Sequence, residues 1–168
     1  MVVRLIAGDE HDPRHIEADR ENSDDHETWR NMGEHFPHPY TRAHAEAWLE
    51  KCSSEEPRLH FLIEADGEIV GGCGVAPKTG VHRFSASVGY YIGRKYQGRG
   101  YATAAVNLIA AYAFEVLRLV RLEAGVYGWN PASMRVLEKA GFKREAVQER
   151  AVFKDGQFTD YVTFVRMA

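Results

Sequence analysis

The stretch Gly93-Arg94-Lys95-Tyr96-Gln97-Gly98-Arg99-Gly100-Tyr101-Ala102-Thr103-Ala104-Ala105 constrains this chain more than any other. Before it, Phe84–Ile92 reads as a strand. After it, an almost wholly apolar run to about Leu117 reads as a buried helix. Strand, glycine-rich turn and helix N-terminus in that order suit an anion. Gly98 and Gly100 let the backbone turn tightly and approach a ligand. The first N–H groups of the helix lack intrahelical partners and lie at the positive end of its dipole. Arg94, Lys95 and Arg99 add mobile positive charge. The stretch reads as a pyrophosphate cradle, and a plain strand-to-helix turn is the bland alternative.

The rest of the chain supplies the elements such a cradle needs. Val2–Ile6 is a short strand, and Gly8 to Asp25 is polar and irregular, with a helical pattern only weakly visible. Asp24 or Asp25 caps a helix through Thr28–Met32, and Gly33–Tyr40 is a loop set by its prolines. Thr41 caps a helix through Ala43–Lys51. Arg58–Ala65 and Glu68–Val75 are strands joined at Asp66-Gly67, a two-residue hairpin signal. Val120–Tyr127 is a strand with Leu122, Ala124 and Val126 on one face. Asn130–Gly141 is a short helix with a cap at Asn130, Pro131 in its first turn and Gly141 at its end. Lys143–Phe153 and Phe158–Arg166 are strands joined at Asp155-Gly156. The order predicts one mixed α/β domain, residues 1–168, with an antiparallel-rich sheet.

Charge and composition narrow the partners. The formal charge of −3 argues against a surface that coats nucleic acid. Residues 1–60 hold 14 acidic and 7 basic side chains, and residues 61–168 hold 10 and 14. Such a bipolar chain suits an anionic cofactor in one half and a cationic substrate near the other, or acidic helix surfaces that simply keep the first half in solution. Cys52 and Cys73 make no disulfide framework and read as reduced thiols of a cytoplasmic protein. The N-terminus is too short for a signal segment, and no apolar run reaches the roughly 20 residues of a membrane span.

Two motifs together are recognisable. Gly89-Tyr90-Tyr91-Ile92 followed by Gln97-Gly98-Arg99-Gly100-Tyr101-Ala102-Thr103 resembles the acetyl-CoA-binding motif of the GNAT superfamily of N-acetyltransferases. Asn130-Pro131-Ala132-Ser133 with Leu137-Glu138-Lys139-Ala140-Gly141-Phe142 resembles the second motif of the branch that includes the ribosomal-protein N-terminal acetyltransferases. The likeness covers roughly residues 58–168. It implies a mixed, largely antiparallel sheet flanked by helices, with two strands splayed into an acetyl-CoA cleft. It further implies that backbone groups of Tyr90, Tyr91 and Ile92 pair with the pantetheine arm. The pyrophosphate would rest on Gln97, Gly98, Arg99, Gly100, Tyr101 and Ala102, with Lys95 beside it. Lys95 stands where the family's phosphate loop usually opens with Arg or Gln. Ser87 stands where a glutamate often helps deprotonate the amine, and Leu137 where many members carry a tyrosine acid.

Acyl transfer to an amine needs a neutral nucleophile, a donor for the developing oxyanion and a proton for the departing thiolate. The resemblance makes Ser133 the proton source, with a hydroxyl that merely caps the helix as the alternative. Asn130 caps that helix and also touches the pantetheine in this reading. Glu123 is the candidate base, or else an exposed strand carboxylate. His35, Phe36, His38 and Tyr40 line an acceptor pocket or pack the loop onto the sheet. His35, His38 and His44 lack a third ligand at a metal-binding spacing, so no metal is expected. The expected activity is acetyl-CoA-dependent acetylation of a primary amine, on a small molecule or a protein N-terminus, by a monomer or homodimer that needs neither nucleic acid nor membrane. A catalytically silent acyl-CoA-binding module is the rival. An ATP-binding role is disfavoured because no P-loop Lys-Ser/Thr follows the glycines.

Overall fold

Side-chain caps and paired turn residues set most element boundaries. The computed structural model describes residues Met1–Ala168. Strand β1 (Val3–Ile6) leads to helices α1 (Pro13–Ser23), α2 (His26–Arg30) and α3 (Arg42–Ser54). Strands β2 (His60–Ala65), β3 (Glu68–Pro77) and β4 (Ser85–Ile92) follow, then α4 (Tyr101–Glu115), β5 (Arg121–Tyr127), α5 (Pro131–Lys139), β6 (Lys143–Lys154) and β7 (Gln157–Met167). Asp12, Asp25, Thr41 and Asn130 each accept a first-turn N–H and so start α1, α2, α3 and α5. Asp66-Gly67 and Asp155-Gly156 take positive φ and close the β2–β3 and β6–β7 hairpins.

One expectation needs correction. The polar segment Gly8 to Asp25, whose helical pattern is weak in the sequence, is not irregular throughout: it holds α1, an 11-residue helix. Its buried residues are Ile16, Asp19, Asn22 and Ser23. They recur at helical spacing, yet three of the four are polar, so a search for apolar periodicity passes over them.

The seven strands lie in the order β1-β2-β3-β4-β5-β7-β6. Ladders β1/β2, β2/β3, β5/β7 and β6/β7 are antiparallel, and β4/β5 is parallel. The chain divides into two compact units. The first is Met1–Gly74 with Tyr90–Ile109, and the second is Val75–Gly89 with Ala110–Ala168. In the first, Ile16, Tyr40, Ala45, Leu49 and Leu62 form a buried cluster, with Ile6, Phe36, Trp48 and Ile69 packed against it. In the second, Leu122, Ala124, Val126, Leu137, Phe142, Val162 and Phe164 are buried. Leu122, Ala124 and Val126 alternate along β5, as their period-two spacing predicts. No helix is long and apolar enough to cross a membrane.

Candidate active site

In the first unit, the glycine-rich turn leaves β4 at Gly93 and passes through a single 3-10 turn, Arg94–Tyr96, before α4. Gly98 and Gly100 have φ of +76° and +83°, the left-handed region that disfavours any side chain with a Cβ. A Cβ at Gly98 would meet nothing within 4 Å, so the backbone there faces open space. The amide of Gln97 turns inward, donating from Nε2 to the carbonyl of Ile92 at 3.0 Å. The first helical bond of α4 runs from Ala104 N to Gly100 O. The N–H groups of Tyr101, Ala102 and Thr103 therefore have no intrahelical acceptor. Arg99 is exposed at the turn. Lys95 lies 3.5 Å from Glu21 and over the Tyr96 ring. Arg94 is not mobile charge, as the sequence suggested: Asp25 holds it in a two-point pair at 2.7 and 3.2 Å.

The polar face of α1 explains how that turn is held. Asp19, 1% exposed, accepts from the hydroxyl of Tyr40 at 2.8 Å and, through its other oxygen, from the hydroxyl of Tyr91. Burial pushes its carboxyl up to about 6, against the opposing pull of those two phenols. Burial of the phenols themselves, and then the Asp19 charge, push both above the ordinary tyrosine range. Three residues along, Asn22 donates from Nδ2 to Ile69 O at 2.9 Å and lies over Gly93. On β3, Gly71 and Gly72 make room for Tyr91. A Cβ on Gly71 would lie 2.0 Å from the Tyr91 carbonyl oxygen, and one on Gly72 would lie 2.9 Å from its ring.

Of the four candidate acceptor residues, two join this network. Tyr40 is buried, and Phe36 stacks on it with ring centres 5.3 Å apart. Phe36 also meets the Tyr91 ring edge-on at 6.1 Å. His38 stacks on Trp29 at 5.6 Å, and His35 is exposed. No group of three His, Cys, Asp or Glu side chains gathers to hold a metal ion.

In the second unit, Asn130 Oδ1 accepts from Ser133 N at 3.3 Å, which caps α5 and sets Ser133 on its first turn, half-buried. Leu137 is fully buried, so the tyrosine position of the resemblance belongs to the core here. Glu123 lies half-buried between Lys78 at 2.6 Å and Arg121 at 3.1 Å. The Lys78 ammonium first, and then Arg121, hold its carboxyl below the usual range, which weakens it as a base. Arg121 continues the chain of charges to Glu145 at 2.6 Å. Two residues beyond Glu123, Gly125 is overlaid by Tyr161, whose hydroxyl oxygen is 1.8 Å from the place a Cβ would take. The β4/β5 ladder runs only through Ser85↔Arg121, Ala86↔Leu122 and Ser87↔Glu123.

The model of the Acetyltransferase (GNAT) domain family matches residues 8–143. The chain belongs to the GNAT acetyltransferase family. Among curated proteins, this GNAT chain is 44% identical over 113 residues to the probable N-acetyltransferase YjcK of Bacillus subtilis. That match covers 67% of this chain and 61% of YjcK, so the chain spans about three-fifths of that relative's length. It is 31% identical over 133 residues to the spermidine N(1)-acetyltransferase of Escherichia coli K12, covering 76% of this chain and 68% of that enzyme. Among solved structures, Mycobacterium smegmatis RimJ in complex with CoA-disulfide superposes with a TM-score of 0.79 at 26% identity. That superposition covers 99% of this chain and 85% of RimJ. The mixed sheet and its strand order are thus those of a GNAT fold.

Sequence reasoning missed Asp19, Asn22 and Gly125 in this GNAT chain and gave Tyr161 no role of its own. The run Gly71-Gly72-Cys73-Gly74 was the available signal on β3, since adjacent glycines inside a strand mark a close approach. Nothing local in the sequence singles out Asp19 among the acids of α1.

Proposed function

We propose that this chain is a cytoplasmic, acetyl-CoA-dependent N-acetyltransferase whose residues 1–168 form one catalytic domain. The observation that carries the reading is the Gly98–Gly100 turn, open to solvent and opening α4 with first-turn N–H groups that have no intrahelical acceptor. The residues present fit the coenzyme: two positive-φ glycines, a helix N-terminus and the cations Lys95 and Arg99. When bound, acetyl-CoA supplies an activated acetyl thioester. The N–H groups from Gln97 to Ala102 take its pyrophosphate, and Lys95 and Arg99 add charge. Backbone groups of Tyr90–Ile92 hold the pantetheine arm, and an N–H at Tyr91 or Ile92 steadies the carbonyl oxygen. A neutral amine would attack the thioester directly, forming the C–N bond as the C–S bond breaks and releasing its surplus proton to solvent. Ser133 gives or relays a proton to the departing thiolate, whose thiol pKa near about 8.5 asks for little help.

The acceptor is a primary amine. The name of the Escherichia coli relative supports a polyamine, and the resemblance of Asn130–Phe142 to the ribosomal-protein N-terminal acetyltransferases supports a protein N-terminus. Glu123, on β5, is already paired with Lys78 and Arg121, which hold its carboxyl below the usual range and leave it a weak base for that amine. A catalytically silent acyl-CoA-binding module is the second reading. It is favoured by the burial of Leu137 and the two cations on Glu123.

Two measurements test the reading. Incubation with acetyl-CoA and a panel of polyamines, peptides, amino acids and aminoglycosides, read as mass gains, should show one acetylated class. Calorimetry should show CoA binding that Gly100→Asp weakens many-fold, because a carboxylate at φ +83° would face the phosphates. CoA binding without any acetylated amine would favour the silent module. Unchanged CoA binding in a folded Gly100→Asp protein would move the coenzyme elsewhere.

A further inference from the structure

Asp19 sits where two segments of the first unit converge. Tyr40 comes from the segment before α3, read as lining the acceptor. Tyr91 comes from the end of β4, read as holding the pantetheine. Both phenols donate to the one carboxylate, each to its own oxygen. Phe36 closes the group, stacked on Tyr40 and edge-on to Tyr91. The same face of the polar segment continues to the coenzyme turn, with Asn22 over Gly93 and Asp25 clasping Arg94.

Such a carboxylate is costly to bury. A neutral side chain of the same size would be cheaper if its task were only to fill space. An ionised carboxylate accepts on both oxygens. A protonated carboxyl or an amide must turn one polar atom into a donor and so cannot serve two phenol donors alike. The arrangement therefore favours a carboxylate, and it joins two places rather than supporting one.

Resting on the acetyl-CoA reading above, we propose that Asp19 is a positioning residue that couples the acceptor side of the site to its coenzyme side. Coenzyme drawn onto the Tyr90–Ile92 backbone fixes Tyr91. Tyr91 fixes the Asp19 carboxylate, and through Tyr40 the carboxylate fixes the segment Phe36–Tyr40. The acceptor side is thus ordered when coenzyme is in place, and by reciprocity an ordered acceptor side favours coenzyme.

Hydrogen exchange of the full chain, read by mass spectrometry with and without CoA, tests this without knowledge of the acceptor. In the wild type, CoA should slow exchange at the amides of Phe36, His38, Tyr40 and Thr41 by roughly fivefold or more, the lower range of site-to-site coupling. Asp19→Asn and Tyr40→Phe should each lose that CoA-dependent slowing. Calorimetry should still find CoA bound to both variants, within about fivefold of the wild-type affinity. Tyr40→Phe keeps the packed ring, so it remains informative if Asp19→Asn folds poorly. A residue with a purely structural role would alter exchange equally with and without CoA. CoA-dependent slowing that survives in Tyr40→Phe, or is missing in a wild type that binds CoA, overturns the proposal. A wild type that binds no CoA overturns the acetyl-CoA reading itself, and the coupling with it.

Discussion

The side-chain oxygen of Asn22 lies 2.1 Å from where a Cβ on Gly93 would stand. Gly93 has a φ of −54°, which alanine adopts freely, so the need for glycine is steric and not conformational. Gly93→Ala should push Asn22 off its bond to Ile69 and cost about 1–3 kcal/mol, as overpacking does. Denaturant unfolding checks the loss. Adding Asn22→Ala should recover most of it, since residues in contact couple. Additive losses would show that the strain lies elsewhere.

Asn130 and Ser133 should separate stability from catalysis. Asn130→Ala removes the α5 cap and should cost about 1 kcal/mol in thermal unfolding. Ser133→Ala keeps the backbone N–H that the cap receives, so stability should change little. Its kcat should fall by up to about 10²-fold, in the range of general-acid contributions, while CoA affinity holds. An unchanged kcat under conditions where chemistry limits turnover would leave the Ser133 hydroxyl a structural role alone.

Glu123→Gln should be destabilising in a pH-dependent way. The Lys78 ammonium, then Arg121, depress the Glu123 pKa below its ordinary 4.5. The ion pair therefore contributes above that value and fades as pH falls through the depressed one. The variant should be less stable by about 1 kcal/mol at pH 7, with the gap closing in acid. Unfolding curves at several pH values for both proteins check this. A gap that persists in strong acid would mean a packing loss.

Asp19 should act with the opposite sign. Burial raises its pKa from 3.8 to about 6, so between those values the folded state keeps a proton that the unfolded chain has released. Its contribution to stability should therefore fall as pH rises through that window, by on the order of 3 kcal/mol. The groups facing it are the Tyr40 and Tyr91 phenols and the more distant Cys52 thiol, all neutral there. Comparison with Asp19→Asn across the window cancels other titrations. A difference independent of pH would place the Asp19 pKa near its unfolded value.

What the sequence made legible follows from which forces are local. The glycine turn, both Asp-Gly hairpins and the Asn130 cap are short-range chemistry, and each stands where its residues put it. The β5 face at Leu122, Ala124 and Val126 follows from period two alone. Helix α1 was hidden because its buried face is built on Asp19, Asn22 and Ser23, whose burial depends on partners far along the chain. Tyr91 lies 72 positions from Asp19, and Arg94 lies 69 from Asp25. Glu123 shows the same limit. Its strand and face were readable, but the cation that quiets it, Lys78, stands 45 positions away beyond β3. The Tyr161 hydroxyl over Gly125 likewise needs the β5/β7 register before it can be seen.

Cys52 and Cys73 are 0% and 4% exposed, and burial pushes each thiol up to about 12. At neutral pH both sites therefore stay in the unreactive thiol form. The native fold thus presents a background almost silent to maleimides and disulfide reagents. A single cysteine introduced at exposed His35 could carry a fluorophore with both native thiols left in place, and the acceptor segment could then be watched directly as coenzyme is added.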